Sequence, residues 1–284
     1  MATISIAQEA GMCFGVARAL KMVRKAAAAA DGPIATLGPL IHNPQVVDDL
    51  ARQGVSVATD PRQPQGTTLV IRAHGVGPDT LKEAQEAGVK VVDATCPYVT
   101  KVHHIAGQLS HGGYTVLVVG ERGHAEVEGT IAHASGAQVV NSAQDVQALA
   151  HSGELGRKVG VVVQTTQTVE KLTEVTAELL RHCIELRIYN TICEATSKRQ
   201  QAAADLAKKS DVMIVIGGRN SANTTHLAEI CANFCPKTYH IEQAGELQST
   251  WFAGADRIGI TAGASTPPEQ IQSVCDAIET VTAP

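Results

Sequence analysis

Three times in this chain a short strand-like run leads into a cysteine that a helix then follows. The stretches are TISIAQEAGMCFGVARAL around Cys13, VVDATCPYV around Cys96 and ELRIYNTICEATSKRQ around Cys193. At the second of them Pro97 opens the helix. Proline there gives up no hydrogen bond and presets φ, which puts Cys96 at a helix N-terminus. Free backbone N–H groups and the helix dipole favour thiolate over thiol at such a place, so Cys96 is a better metal ligand or nucleophile than an ordinary buried cysteine. One junction of this kind, standing alone, reads as a small hydrophobe in a core. Three in one chain point to a repeated architecture with a shared purpose.

The rest of the chain, taken in order, carries the repeat further. After Cys13, the apolar positions Val16, Leu20, Val23 and Ala27 follow the helical period. The strand PIATLG then enters the loop PLIHNP with His42. A helix over Pro44 to Gln53, the strand VSVA and the strand TTLVIRA follow, the last ending at His74-Gly75. The helix PDTLKEAQEAG hands over to VKVVDATC. After Cys96, Val99, Val102, Ala106 and Leu109 share one helix face. TVLVVG delivers His124 and Glu126, a helix and AQVV follow, and KVGVVVQTTQT ends on Thr165 and Thr166. A helix from Val169 to about His182 leads to the strand before Cys193. In the last third Ala195, Arg199, Ala202 and Leu206 mark a helix face, DVMIVIGG opens onto RNSANTTH, a helix and KTYHI follow, and DRIGITAGAST carries Ser265 before a final helix over Pro268 to Thr280.

Spacing supports the periodicity. From each cysteine to the polar centre of the next loop (His42, His124, Ser221) there are 29, 28 and 28 residues, and to the polar residue ending the later strand (His74, Thr165, Ser265) there are 61, 69 and 72. The first interval is nearly constant and the second drifts as variable connections do. The expected fold is therefore α/β: three similar domains with mainly parallel sheets, arranged pseudo-threefold around a common centre. Their boundaries are expected at 14–95, 96–192 and 193–284, with residues 1–13 supplying the strand that completes the third. Ligands bind at the C-terminal ends of such strands, which is where each cysteine and each polar loop falls.

Composition excludes several alternatives. The net charge is −5 with both signs interspersed, and aromatic residues make up 3% of the chain, so neither a nucleic-acid surface nor a base-stacking platform is expected. No apolar run approaches the roughly 20 residues that a membrane span requires, and the N-terminus lacks the basic and apolar segments of an export signal. A cytoplasmic protein is expected, in which seven cysteines, an odd number, argue for thiols and metal sites over a disulfide framework.

Three thiolates directed at one point make a metal site. Cysteine sulfur selects zinc, copper(I) or iron–sulfur clusters, and a three-ligand site keeps one position open for chemistry. Cys183 and Cys275 read as helix residues on apolar faces, and Cys231 and Cys235 as a C-x-x-x-C pair without a metal pattern. The loop residues supply an anion site: His42, His74 and His124 at strand ends, with Ser221, Asn223 and Ser265 in equivalent places of the last third. Such donors around helix N-termini suit a phosphate or diphosphate. The other eight histidines, His103 and His133 among them, read as structural or solvated. No GxGxxG or Walker A motif is present. Glu126 is the one carboxylate inside this constellation. It reads as a general acid, with Thr165 and Thr166 placed to relay its proton or hold a substrate hydroxyl.

The motifs GMCFGV, LIHNP, RAHGV, DATCPYV, GHAEVEG, VQTT, TIC, NSAN and GAST, in this order over essentially the whole chain, resemble the 4-hydroxy-3-methylbut-2-enyl diphosphate reductase family of the non-mevalonate isoprenoid pathway. The resemblance implies three α/β domains around a central [4Fe–4S] cluster with an open iron, held by Cys13, Cys96 and Cys193. It implies a diphosphate site at His42, His74, His124, Ser221, Asn223 and Ser265, and proton delivery by Glu126 with Thr165 assisting. The implied reaction is a two-electron reductive dehydroxylation giving isopentenyl and dimethylallyl diphosphate, with a ferredoxin or flavodoxin as electron donor. One position departs from the pattern: Ala222 stands in NSAN where many members carry a second serine, which removes a hydroxyl donor that Thr224 or a backbone N–H would have to replace. Two other classes fit the residues taken alone, a three-cysteine zinc hydrolase and a non-catalytic iron–sulfur anion sensor, though Glu126 is superfluous to a pure binder.

Overall fold

A computed structural model describes residues 2–64 and 66–282. In chain order, β1 (Thr3–Ile6) and α1 (Phe14–Ala28) flank Cys13, and then come β2 (Ile34–Leu37), α2 (Pro44–Arg52), β3 (Val55–Ala58), β4 (Thr68–Ile71), α3 (Pro78–Glu86) and β5 (Lys90–Asp93). After Cys96 follow α4 (Pro97–His111), β6 (Thr115–Val119), α5 (Ala125–Ile131), β7 (Gln138–Val140), α6 (Ala143–Ser152), β8 (Lys158–Val163), α7 (Val169–Leu179) and β9 (Glu185–Ile188). After Cys193 follow α8 (Glu194–Ala207), β10 (Val212–Ile216), α9 (Ala222–Ala232), β11 (Thr238–Ile241), two 3₁₀ turns, β12 (Arg257–Ala262) and α10 (Pro268–Val281).

The strands form three four-stranded sheets, ordered β3-β2-β4-β5, β7-β6-β8-β9 and β11-β10-β12-β1, and every pairing is parallel. All three orders are one pattern: second strand, first, third, fourth. In the last sheet the fourth place is taken by the chain's first strand, Ile4 lying opposite Ile258. The order reverses between the first and third strands of each sheet. There the loops that follow those two strands run to opposite faces and leave a crevice, the usual ligand position in doubly wound sheets.

Two compact units contain these sheets. The terminal unit comprises Met1–Val16, His42–Gln45 and Glu194–Pro284 and holds the β1-containing sheet; the central unit comprises Ala17–Ile41 and Val46–Cys193 and holds the other two. The inner strands are near-continuous aliphatic runs because helices cover both faces. In the central unit Leu117, Val119, Val161 and Val163 pack on Leu172, Val175 and Leu179 of α7. Val116, Val118 and Val162 turn the other way onto Val102, Ala106 and Leu109 of α4. In the terminal unit Ile214, Ile216, Ile258 and Ile260 meet Val274 and Ile278 of α10, and Met213 and Val215 meet Ala203 and Ala207 of α8.

Three local expectations differ from what forms. The helix α7 stops at Leu179, because Arg181 and His182 donate their backbone N–H groups to carbonyls three residues back and tighten the chain out of the helix; Cys183 thus lies in the turn after it. The buried stripe of α8 is Thr196, Arg199, Ala203 and Ala207, rotated from the expected Ala195, Arg199, Ala202 and Leu206. The small Ala203 and Ala207 let the helix sit close on Met213 and Val215, which turns the larger Leu206 partly outward. The helix α6 has no counterpart in the sequence reading. No helix among the described residues is long and apolar enough to cross a membrane.

Candidate functional site

The polar residues singled out from sequence lie at the crevice ends of the strands, and one backbone bond recurs in each sheet. Cys13 N–H donates to Ala264 O at 3.0 Å, Cys96 N–H to Ala73 O at 2.9 Å and Cys193 N–H to Thr165 O at 3.1 Å. Each acceptor is at or one residue before the polar residue that ends the third strand's loop: Ser265, His74 and Thr165. The cysteine backbone is thereby fixed beside that loop in all three sheets.

The central unit holds the buried carboxyl of this set and the groups bonded to it. His124 is the N-cap of α5, and its Nδ1 accepts the Glu126 N–H at 3.2 Å. Glu126 is only 3% exposed. Its Oε1 accepts the Thr165 backbone N–H at 2.6 Å and its Oε2 accepts the Thr165 hydroxyl at 2.7 Å. Burial pushes the carboxyl up to about 7, against the opposing pull of the two Thr165 bonds. A carboxyl so held is divided between its two protonation states near neutral pH, the condition that suits a proton donor. Gln164 braces the same loop, accepting the Glu121 N–H at 2.9 Å and donating to Thr166 Oγ1 at 3.0 Å, so the Thr166 hydroxyl faces Gln164. The His74 ring stands edge-on to His124, with centroids 5.7 Å apart. Cys96 caps α4 with extended backbone ahead of Pro97, as the sequence implies.

The terminal unit presents a set of anion donors. Ser265 Oγ donates to His42 O at 3.0 Å, and Asn43 Nδ2 donates to Ser265 O and to Gln270 Oε1, both at 3.0 Å, so the His42 and Ser265 loops are tied together. Ser221 caps α9. Asn223 is 5% exposed, and both atoms of its carboxamide are buried without a partner among the described residues. An amide with two orphaned atoms is costly unless a ligand or water satisfies it. Ala222, buried between Ser221 and Asn223, offers only its backbone. Thr224 does not replace the missing serine, because it is fully buried and donates its hydroxyl to Ser221 Oγ at 3.1 Å. Arg199 is buried and donates to Gly11 O at 2.8 Å, pinning the turn before Cys13. The sequence offered one signal for that role, an arginine on an otherwise apolar helix stripe.

The seven cysteines divide by environment. Cys13, Cys96 and Cys193 are half-exposed thiols at their junctions. Cys231 and Cys275 are packed in cores, with burial pushing Cys231 up to about 12 and raising Cys275; Cys183 and Cys235 are raised for the same reason. Thiols of this second kind do not ionise readily to ligate metal.

Fold and site together define a three-sheet parallel α/β protein that offers junction cysteines, anion donors and one buried, proton-carrying carboxyl at its strand ends. The sequence profile of the LytB protein family matches residues 4–279. The chain belongs to that family. It is 48% identical over 277 residues to the 4-hydroxy-3-methylbut-2-enyl diphosphate reductase of Geobacter sulfurreducens, covering 97% of this chain and 96% of the relative, and 44% identical over 286 residues to that of Aquifex aeolicus, covering 99% and 97%. Among solved structures it resembles an (E)-4-hydroxy-3-methyl-but-2-enyl diphosphate reductase described as the terminal enzyme of the non-mevalonate pathway, with TM-score 0.72, 44% identity and coverage of 99% and 100% of the two chains. It also resembles the E-1-hydroxy-2-methyl-but-2-enyl-4-diphosphate reductase of Plasmodium falciparum, with TM-score 0.90, 26% identity and coverage of 98% and 88%.

Proposed function

We propose that this chain is a 4-hydroxy-3-methylbut-2-enyl diphosphate reductase, which removes the substrate's allylic hydroxyl as water and yields isopentenyl and dimethylallyl diphosphate. The observation that carries the reading is Glu126: a buried carboxyl, fixed by two bonds from Thr165 and held near neutrality beside cysteine junctions and anion donors.

The overall change takes up two electrons and two protons: the C–O bond breaks, one proton leaves with the oxygen as water and the other forms a C–H bond. Cys13, Cys96 and Cys193 would hold a [4Fe–4S] cluster, whose redox and Lewis-acid chemistry supplies the electrons and polarises the hydroxyl. The donor set suits it, since these three thiols are accessible while the other four lie in environments that disfavour thiolate. Glu126 donates the proton that lets the hydroxyl leave. Its two Thr165 bonds, one to each oxygen, fix the orientation of the carboxyl, and the Thr165 hydroxyl serves to hold the substrate hydroxyl or pass on its proton. His74, His124, His42, Ser221, Asn223 and Ser265 bind the diphosphate, with the orphaned Nδ2 of Asn223 donating to a phosphate oxygen. The backbone of Ala222 at the first turn of α9 takes the place of a hydroxyl donor. The electrons come from a one-electron carrier of the ferredoxin or flavodoxin kind. The seven cysteines, none in a disulfide, suit a cytoplasmic enzyme.

The test is an anaerobic assay of the iron–sulfur-loaded protein with a chemical reductant, paired with its visible spectrum. Wild type should reduce the substrate. Glu126→Gln should keep the spectrum and lose most turnover; full turnover in that variant with an intact cluster would remove Glu126 from the reaction.

A further inference from the structure

The loop that carries His74 and the helix that carries Glu126 pack directly against each other along one seam, most closely at Gly77. A Cβ on Gly77 would stand 2.5 Å from Ala132 Cβ, and one on Gly129 would stand 3.5 Å from the Gly75 carbonyl group. Gly129 and Ala132 are one turn apart on α5 and its C-cap, and Gly75 and Gly77 are two apart on the loop, so small residues face small residues along the seam. Gly75 also needs its positive φ of 72° to make the turn after His74.

One side chain closes this seam from α4. His103 is 6% exposed, and its ring lies against both backbones: Cε1 would be 2.6 Å from a Cβ at Gly75, and Nε2 would be 3.4 Å from a Cβ at Gly75 or at Gly129. On its other side it stacks on His133, with centroids 4.1 Å apart and planes 19° from parallel. The His133 Nδ1 in turn lies 2.8 Å from Gly129 O, inside α5. His103 Nε2 is buried without a partner among the described residues. Desolvation and the neighbouring His133 push this imidazole down to about 4, against a weak opposing pull from Asp93, so it is a neutral ring at physiological pH.

We propose that His103 is a positioning residue: a flat wedge, backed by His133, that fixes the His74 loop against α5 and so holds two diphosphate donors and the proton donor in one frame. The inference rests on the function proposed above. What the wedge must supply is a ring of this thickness at the side of the seam; a side chain cut back to a methyl group would leave a void beside Gly75 and Gly129 into which the loop and α5 shift. Displacement of His74 and His124 would follow, because His74 directly precedes Gly75 and His124 caps the helix that contains Gly129.

The experiment compares His103→Ala and His103→Phe in the anaerobic, iron–sulfur-loaded enzyme. It measures KM and kcat, the dissociation constant of inorganic diphosphate by calorimetry, thermal stability and the cluster spectrum. His103→Ala is expected to raise KM and the diphosphate dissociation constant at least tenfold while the spectrum stays that of wild type. His103→Phe restores the ring without the orphaned nitrogen. It is expected to return both constants to within about threefold of wild type, at equal or higher melting temperature. The proposal is overturned if His103→Ala lowers only the melting temperature and leaves both constants in place, which would make the ring mere core packing. It is overturned also if His103→Phe is as impaired as His103→Ala. Should His103→Ala fail to fold, the comparison of His103→Phe with His133→Ala carries the test: loss of the backing ring should weaken diphosphate binding at least threefold, and unchanged binding in His133→Ala overturns the wedge. A wild-type protein with a cluster but no activity on the diphosphate substrate would instead sink the functional reading.

Discussion

Replacing Thr165 by valine isolates one of the two bonds that set the protonation of Glu126. The side chain keeps its branched shape and loses only the hydroxyl that donates to Oε2 at 2.7 Å, while the backbone N–H still donates to Oε1 at 2.6 Å. Both bonds favour the carboxylate, and burial opposes them. Removing one donor therefore raises the carboxyl further. A hydrogen bond to a charged group contributes about 1.5–3 kcal/mol, and each 1.36 kcal/mol corresponds to one pH unit, so the titration should move up by roughly one to two pH units. Since wild-type Glu126 titrates at about 7, and the acid form is the one required, the alkaline limb of the kcat profile should move up from near neutrality by that amount. The assay is the rate against pH, measured anaerobically with a chemical reductant and normalised to iron content. Thr165→Ser, which keeps the hydroxyl, should leave the limb where wild type has it. A limb that stays in place in Thr165→Val, or moves toward acid, would refute the claim that this bond tunes the proton donor. A lower plateau rate alone would not, because it would only report that the hydroxyl also touches the substrate.

Other outcomes follow from the same geometry. Serine at Cys13, Cys96 or Cys193 should each abolish most bound iron and the visible absorption, whereas Cys231→Ala should keep both; iron and acid-labile sulfide counts decide, and a full complement of iron in all three serine variants would remove them as ligands. Ala222→Ser should lower KM about tenfold or more, the value of one hydrogen bond to a charged group, provided the hydroxyl reaches the diphosphate; an unchanged KM would mean the backbone already does the work. The stability of the protein against pH should also change in Glu126→Gln. The native carboxyl titrates at about 7 and the unfolded one near its ordinary 4.5, so wild type loses stability as pH rises between those values, by at most about 3 kcal/mol. The glutamine variant lacks that loss, and denaturation midpoints at pH 5 and pH 8 should show its advantage growing toward alkaline pH.

The strands and most helices were legible because each is a short aliphatic run or a clear 3.6-residue stripe between turn residues, as at TVLVVG and along Val99, Val102, Ala106 and Leu109. The places where the reading slipped have local causes. Between β7 and β8 the chain forms α6, signalled by Ser142, whose side chain accepts the Asp145 N–H at its N-terminus; the apolar pattern is short, with Val146 its buried anchor, and the stretch passes for a loop. That helix accounts for the step from 61 to 69 residues; the third interval, 72, is longest because the stretch from Ser221 to the end of β11 is also longer. The corresponding connections run from residue 58 to 68, from 140 to 158 and from 241 to 257, and they hold no helix, α6 and two 3₁₀ turns respectively. The orientation of α8 was misjudged because an alanine-rich face gives little contrast to periodicity. Chemical type and spacing singled out His124, Glu126, Thr165 and Asn223, which the fold places at strand ends, His124, Glu126 and Thr165 in one hydrogen-bonded group. His103 escaped because a histidine next to an apolar stripe has no sequence mark that separates a wedge from filler; only the glycines it touches, in segments far along the chain, give it meaning.

The three sheets share strand order and the bond from each cysteine N–H to its neighbouring loop, yet they have diverged in what the loops carry. A substrate of the proposed kind is itself asymmetric, anionic at one end and bearing a hydroxyl at the other, so three identical loops would serve neither end well. The repeated part is the part that needs identical geometry: a junction that presents a thiol. On the proposed function, the divergent part is what would discriminate the two ends. Among the described residues, the second sheet alone pairs a carboxyl on its first-strand loop with a hydroxyl on its third-strand loop, Glu126 against Thr165, and buries both. In the third sheet the equivalent positions are Ser221 and Asn223 against Ser265, groups that can bind an anion but carry no proton of suitable acidity. If that division is right, a carboxylate placed at Asn223 would repel the diphosphate and could not substitute for Glu126. The double variant Glu126→Gln with Asn223→Asp should therefore show weaker diphosphate binding than Glu126→Gln alone and no recovery of turnover. Recovery would mean that the two loops are interchangeable, and that the asymmetry lies elsewhere.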